Sequence, residues 1–111
     1  MAYSLELAGR IRDATARATG VTEKRMFGGV AFLLDGHLLV GVWKDALVAR
    51  LGPDEAVAAL RERYVKRFDI TGKPMKNWVM VEPRALETDE QLQAWLDRAW
   101  KFVETLPPRN G

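Results

Sequence analysis

The chain has 111 residues, 48% of them hydrophobic and 29% charged, with 17 basic against 15 acidic side chains and a formal net charge of +2. That length corresponds to a single domain, 1–111, able to bury a core without staples. The absence of cysteine excludes disulfides, thiolate nucleophiles and cysteine-held zinc or iron–sulfur sites. No apolar run approaches the roughly 20 residues that span a bilayer, and Met1-Ala2-Tyr3-Ser4 lacks the basic and apolar regions of a signal peptide, so a cytoplasmic location is expected.

The first element is a helix. Ser4 caps a segment in which Leu7, Ile11, Ala14 and Ala18 recur at helical spacing, and Gly20 supplies a left-handed stop. The stretch RMFGGVAFLLDGHLLVGV, residues 25–42, then reads as the first arms of an antiparallel meander. Asp35-Gly36 sits at the centre of a two-residue hairpin turn, and Lys44-Asp45 marks a second. Those turns fix a register in which residue 34 opposes 37, 32 opposes 39 and 43 opposes 46. One face then carries Ala31, Leu33, Leu38, Val40, Val42, Leu47, Ala49 and Leu51. The other carries Val30, Phe32, Leu34, Leu39, Trp43, Val48 and Arg50. Neither face is polar, so the sheet is either covered on both sides or offers its second face to a partner, and Phe32, Leu39 and Trp43 are the candidate interface. Gly28-Gly29 enters a strand rather than a helix, which argues for a bend or bulge turning Phe27 into the core and against a phosphate loop.

A second helix is announced by Gly52-Pro53-Asp54-Glu55, with Val57, Leu60 and Tyr64 as its apolar stripe. An extended piece around Lys66 to Ile70 and the loop TGKPMKNW follow, with Met75 and Trp78 expected to enter the core. Next come the short apolar strand WVMV, residues 78–81, and its stop at Glu82-Pro83. Thr88-Asp89-Glu90-Gln91 is a capping-box pattern. It opens a third helix whose stripe is Leu92, Trp95, Leu96, Ala99, Val103 and Leu106, ended by Pro107-Pro108, with a flexible tail from about residue 107. The expected fold is α+β: an antiparallel meander packed with about three helices in the order α-β-β-β-α-β-α, with room for extra short strands.

Catalytic constellations are not found. His37, the single histidine, flanks a turn with no base or ligand partner in its motif, and Ser4, the single serine, is a helix cap. The carboxylate pairs Asp54/Glu55 and Asp89/Glu90 occupy first helical turns, where the helix dipole accounts for them. No catalytic residue, cofactor or metal site is therefore expected. The basic segment 61–76 holds six cations against Glu62 and Asp69. It makes Arg63, Lys66, Arg67, Lys73 and Lys76 the candidate contacts for a nucleic acid, although no helix-turn-helix, RNP or zinc-finger pattern accompanies them.

KRMFGGVAFLLDGHLLVGV, the later GKPMKNWVMV and the terminal LDRAWKFVETLP together resemble the N-terminal domain of the TfoX/Sxy family, named for bacterial regulators of natural competence. The likeness runs from about residue 15 to 107. Its motif residues here are Met26, Phe27, Gly28 and Gly29, then Gly72, Pro74 and Trp78. The resemblance implies an α+β domain with an antiparallel sheet, no known catalytic site and a regulatory theme. In two-domain members a separate helical domain follows where this chain stops. Two classes of function follow from residues and resemblance together. The first is a non-enzymatic regulatory module working through protein–protein contacts, including self-association as a homodimer; the second is a weak, non-sequence-specific nucleic-acid-binding accessory.

Overall fold

The computed structural model describes residues 3–26, 28–69 and 75–107. In chain order these form α1 (Leu5–Ala14), β1 (Val21–Met26), β2 (Gly29–Leu34), β3 (His37–Trp43), β4 (Ala46–Arg50), α2 (Pro53–Ala59), β5 (Val65–Arg67), β6 (Trp78–Val81), a 3-10 turn (Pro83–Ala85) and α3 (Asp89–Val103). The strands make one sheet in the order β1-β2-β3-β4-β6-β5, every neighbouring pair antiparallel. This is the expected α+β arrangement with short strands added at both edges. β1 is the addition that the apolar pattern concealed, because Thr22, Glu23, Lys24 and Arg25 are all exposed. β5 realises the extended piece expected from Lys66, and Ile70 lies outside the described residues.

Both hairpin turns fall where Asp35-Gly36 and Lys44-Asp45 place them. Asp35 and Gly36 take φ of 50° and 85°, the double left-handed step of a type I′ turn, and Leu34 faces His37 while Trp43 faces Ala46. Between them the register departs from expectation. Leu33 pairs with Leu38 but Phe32 pairs with Val40, so Leu39 is an extra residue, a bulge, and does not oppose Phe32. A one-residue slip exchanges faces. Leu39, Val40 and Val42 therefore join Val30, Phe32 and Leu34 on one side, continued by Leu47, Ala49, Val79 and Val81, all in one buried cluster with the helices. Trp43, Val48 and Arg50 fall on the other side with Ala31, Leu33 and Leu38.

The three helices pack on the first of these faces. Ser4 accepts the Leu7 amide at 3.1 Å and opens α1, which buries Leu7, Ala8 and Ile11. The helix ends at Ala14 rather than at Gly20, with Thr15 as its C-cap and the buried Thr15 hydroxyl donating to the Ile11 carbonyl at 2.9 Å; Ala18 is off the helix. In α2 the expected stripe is corrected. Ala56 and Ala59 are buried, Val57 is 58% exposed, and Tyr64 lies beyond the helix at a φ of 66°, which a bulky residue adopts only at a cost. Small residues let this short helix sit close to the sheet. The capping box of α3 closes as its sequence requires: the Gln91 amide donates to Thr88 Oγ1 at 3.1 Å and the Thr88 amide to Gln91 Oε1 at 2.9 Å. Leu92, Trp95, Leu96, Ala99 and Val103 are buried, and each large side chain among them contributes roughly 1.5–3 kcal/mol.

Ion pairs tie the helices together and to β1. Arg98 reaches Glu55 at 2.6 Å and Glu62 at 2.9 Å, joining α3 to α2 and its exit turn, while its guanidinium lies 4.3 Å from the Trp95 ring centre. Arg12 grips Glu23 through two hydrogen bonds of 2.9 and 2.8 Å, linking α1 to the edge strand. Those bonds hold the Glu23 carboxyl below the usual carboxylate range and push the Arg12 guanidinium up. His37 Nε2 meets the Pro107 carbonyl and fastens the chain after α3 to the β2–β3 hairpin. The tail expected beyond Pro107 lies outside the described residues.

Three outcomes test this packing. Gly29→Ala would set a Cβ 2.2 Å from the Val42 carbonyl oxygen of β3, and is expected to lower unfolding stability in urea by about 1–3 kcal/mol. Gly9→Ala, in α1 with nothing within 4 Å of the new methyl, is expected to raise it by about 0.5–1 kcal/mol. The Glu23 carboxyl has a folded pKa below its unfolded value near 4.5, so the stability it supplies is complete above that value and lost as pH falls through the folded pKa. Thermal melts of Glu23→Gln should show a lower Tm than the parent near neutral pH and converge on it in acid.

Candidate interaction surface

Because the bulge sends Leu39 inward, the opposite sheet face is built from other residues. Register alone lists them: Thr22, Lys24 and Met26 on β1; Gly29, Ala31 and Leu33 on β2; Leu38, Gly41 and Trp43 on β3; Ala46, Val48 and Arg50 on β4; Trp78 and Met80 on β6; and Lys66 on β5. Among the described residues the buried side chains of the helices cluster with the opposite face, and Arg50 is the residue of this set that also reaches α3, at Phe102. The centre is small, with Ala31, Ala46 and Val48 at 7%, 4% and 4% exposure and outside the helix-side cluster. Around it stand Leu33, Leu38, Trp43, Trp78 and Met80, all half-buried.

Phe68 supplies a partial roof. The chain leaves β5, and Phe68 lies edge-on to Trp43 at 6.4 Å and tilted against Trp78 at 6.2 Å, so its ring bridges side chains from β3 and β6. Its carbonyl accepts the Met75 amide at 3.2 Å, and the Met75 carbonyl accepts the Trp78 amide at 3.1 Å, which returns the chain to β6. Met75 itself is 38% exposed and not in the core as expected, whereas Trp78 is half-buried on the open face.

Cations rim this surface. Lys44 Nζ lies 4.7 Å from the Trp43 ring centre, and the Arg50 guanidinium lies 5.8 Å from Trp78 and 5.9 Å from Phe102 while donating to the Leu38 carbonyl at 3.3 Å. Lys24 is exposed on β1, and Lys66 pairs at 3.5 Å with Glu82, just past β6. No acid occupies any open-face strand position among the described residues.

The expected interface of Phe32, Leu39 and Trp43 is thus corrected. Phe32 and Leu39 are 1% and 0% exposed beneath the helices, and Trp43 projects from the other face. The basic segment is not gathered either. Arg63, Lys66, Arg67 and Lys76 are exposed, but Lys66 opposes Met80 and Arg67 opposes Val79, so adjacent strand positions point them to opposite faces. Lys73 lies outside the described residues, as do Phe27, Gly72 and Pro74 of the motif. Met26 is half-buried opposite Gly29 at the β1–β2 turn, and Gly28 takes a φ of 75° there, so the glycine pair serves sheet geometry. Sequence reading missed Phe68, Met80 and the outward role of Arg50. The signal for Met80 was the alternation in WVMV, where Val79 and Val81 turn inward and Trp78 and Met80 outward.

Elsewhere, a cleft of about 140 Å³ beside α1 is lined by Ser4, Glu6, Leu7, Arg10, Asp45, Pro83 and Leu86. Arg10 is engaged there with the Thr88 carbonyl at 3.2 Å and Asp89 at 3.5 Å. Among the described residues no cluster of three or more His, Asp or Glu side chains is arranged to hold a metal ion, and no helix is long and apolar enough to cross a membrane. If Phe68 is the roof of the open face, Phe68→Ala should cost about 3 kcal/mol in urea unfolding and weaken the near-ultraviolet aromatic dichroism, while Phe68→Leu retains most of the stability.

The chain matches no curated protein and no solved structure. The family model of the TfoX N-terminal domain, in contrast, matches residues 13–103, from within α1 to the last residue of α3 and so across the whole sheet on which the surface is built. The chain belongs to the TfoX N-terminal domain family.

Proposed function

We propose that this chain is a non-enzymatic, cytoplasmic regulatory domain that acts through protein–protein contacts made by its open sheet face. The observation that carries the reading is the distribution of packing. All three helices lie on one side, and Leu33, Leu38, Trp43, Trp78 and Met80 are left half-buried on the other. Large side chains around a floor of small ones give a partner pockets to fill and little rotamer entropy to lose. Membership of a family whose theme is regulation supports the same reading, and transcription is the regulated process that the resemblance to competence regulators implies.

Two copies meeting face to face would bring Lys24, Lys44 and Arg50 against their own counterparts, so charge disfavours a homodimer through this surface. A nucleic-acid accessory role would rest on Arg63, Lys66, Arg67, Lys73 and Lys76; the divergence of Lys66 and Arg67 weighs against it.

Placing a photo-crosslinking amino acid at Leu33 or Met80, and at the exposed α2 position Val57 as control, separates these readings in cells that make the protein. Discrete protein adducts from the open-face positions, absent from Val57, are the expected result. Adducts to nucleic acid, or equal yields at all three positions, would overturn it.

A further inference from the structure

Methionine is distributed over this domain as unevenly as the helices are. The chain has four, of which Met1 lies outside the described residues. Met26 and Met80 occupy open-face strand positions and are half-buried, Met26 opposite Gly29 and Met80 between Val48 of β4 and Lys66 of β5. Met75 is 38% exposed on the chain that returns from Phe68 to β6. None of these three belongs to the cluster buried beneath the helices. The chain has no cysteine, so thioethers are the sulfur that a peroxide can oxidise.

We propose that the open face is a peroxide-sensitive surface: oxidation of Met26 and Met80, the two thioethers within it, to sulfoxides releases the partner protein, and reduction restores the contact. The inference rests on the protein-contact reading above and adds its regulation. The chemistry is an oxygen transfer. A sulfur lone pair attacks one peroxide oxygen, the O–O bond breaks, an S–O bond forms and, after proton transfer, water leaves; the sulfur is oxidised and the peroxide reduced. A sulfoxide reductase reverses the step with a pair of thiols, which become a disulfide while the oxygen departs as water. A thioether adapts its shape to an apolar partner, whereas a sulfoxide oxygen is a polar acceptor that an apolar contact leaves unpaired. Placement makes this an effect on binding and not on folding. An oxidised methionine in the core would disrupt the packing of helices on sheet, but that cluster contains no sulfur among the described residues.

The test reads photo-crosslinking from Leu33 before and after a pulse of hydrogen peroxide, in the parent and in Met26→Leu/Met80→Leu. Leucine keeps the volume and apolarity of these positions and cannot be oxidised. Met75, present in both proteins and more exposed, reports by peptide mass mapping that peroxide has reached each of them. The expected result is that Met26 and Met80 of the parent are oxidised, that its Leu33 adducts fall about tenfold and return after treatment with sulfoxide reductase, and that the variant keeps its adducts. Thermal melts of the oxidised parent and of the variant should remain cooperative. Conversion of Met75 with Met26 and Met80 untouched, an equal fall in both proteins, or unchanged adducts from the oxidised parent would overturn the inference and leave the protein-contact reading standing. Loss of cooperative melting in the oxidised parent would overturn it as damage to the fold. Absence of adducts before peroxide would sink the protein-contact reading and this regulation with it.

Discussion

One extra residue in β3 governs which side chains meet the helices. A regular hairpin from the Asp35-Gly36 turn would set Phe32 opposite Leu39 and carry Val40 and Val42 to the face shared with Ala31 and Leu33. The bulge at Leu39 reverses that assignment for the rest of the meander. The β-branched residues Val40, Val42, Val79 and Val81 then form the surface against which α3 and α1 pack. Trp43 and Arg50, which a regular ladder would bury with Phe32, are moved to the far side. The core and the open face are two consequences of the same kink.

Side-chain size follows that division. Where helices approach, the sheet and helices use small residues at the closest points: Ala8, Ala49, Ala56, Ala59 and Ala99 are nearly inaccessible. Truncated contact residues shorten interaxial distances and bring backbone dispersion into play. On the open face the pattern inverts, with Ala31, Gly41 and Ala46 forming the floor and Leu33, Trp43, Trp78 and Met80 standing up from it. A sheet face meant only for water would alternate polar residues there. Phe68 buries some of this surface without a helix, which moderates the aggregation hazard of exposed aromatics and still leaves five large side chains half-accessible.

Much of this was legible from the sequence because the cues are local. Asp35-Gly36, the capping box at Thr88 and the stripe from Leu92 to Val103 each depend on residues within a turn or two of one another. Phe32 and Leu39 were misplaced because a bulge leaves no signature in an apolar run: FLLDGHLLV satisfies either register equally well by composition. Val57 and Tyr64 misled for a different reason. Hydrophobicity marked them as the inner stripe of α2, but the space beneath a short helix pressed on the sheet admits only Ala56 and Ala59. β1 escaped notice because it is an edge strand with one neighbour, and VTEKRM carries no apolar period. Phe68 could be recognised only in three dimensions, since its partners lie on β3 and β6.

The edges of the sheet bear on how this domain meets another protein. Adding a strand to an open edge is the general alternative to using a face. β5 is three residues long, too short to template a partner strand well, and β1 displays Glu23, Lys24 and Arg25 in succession, the charged pattern that keeps edges from pairing. Arg12 also holds Glu23 from the helix side, so the outer strand is fixed and its charges oriented. With both edges defended and one face sealed by helices, the remaining surface rich in large apolar groups among the described residues is the face that the Leu39 bulge opened. The same residue, Lys24, that helps protect the β1 edge is the ladder partner of Ala31 on the open face. A charge placed there discourages strand addition, so one side chain biases the domain away from edge-to-edge self-assembly.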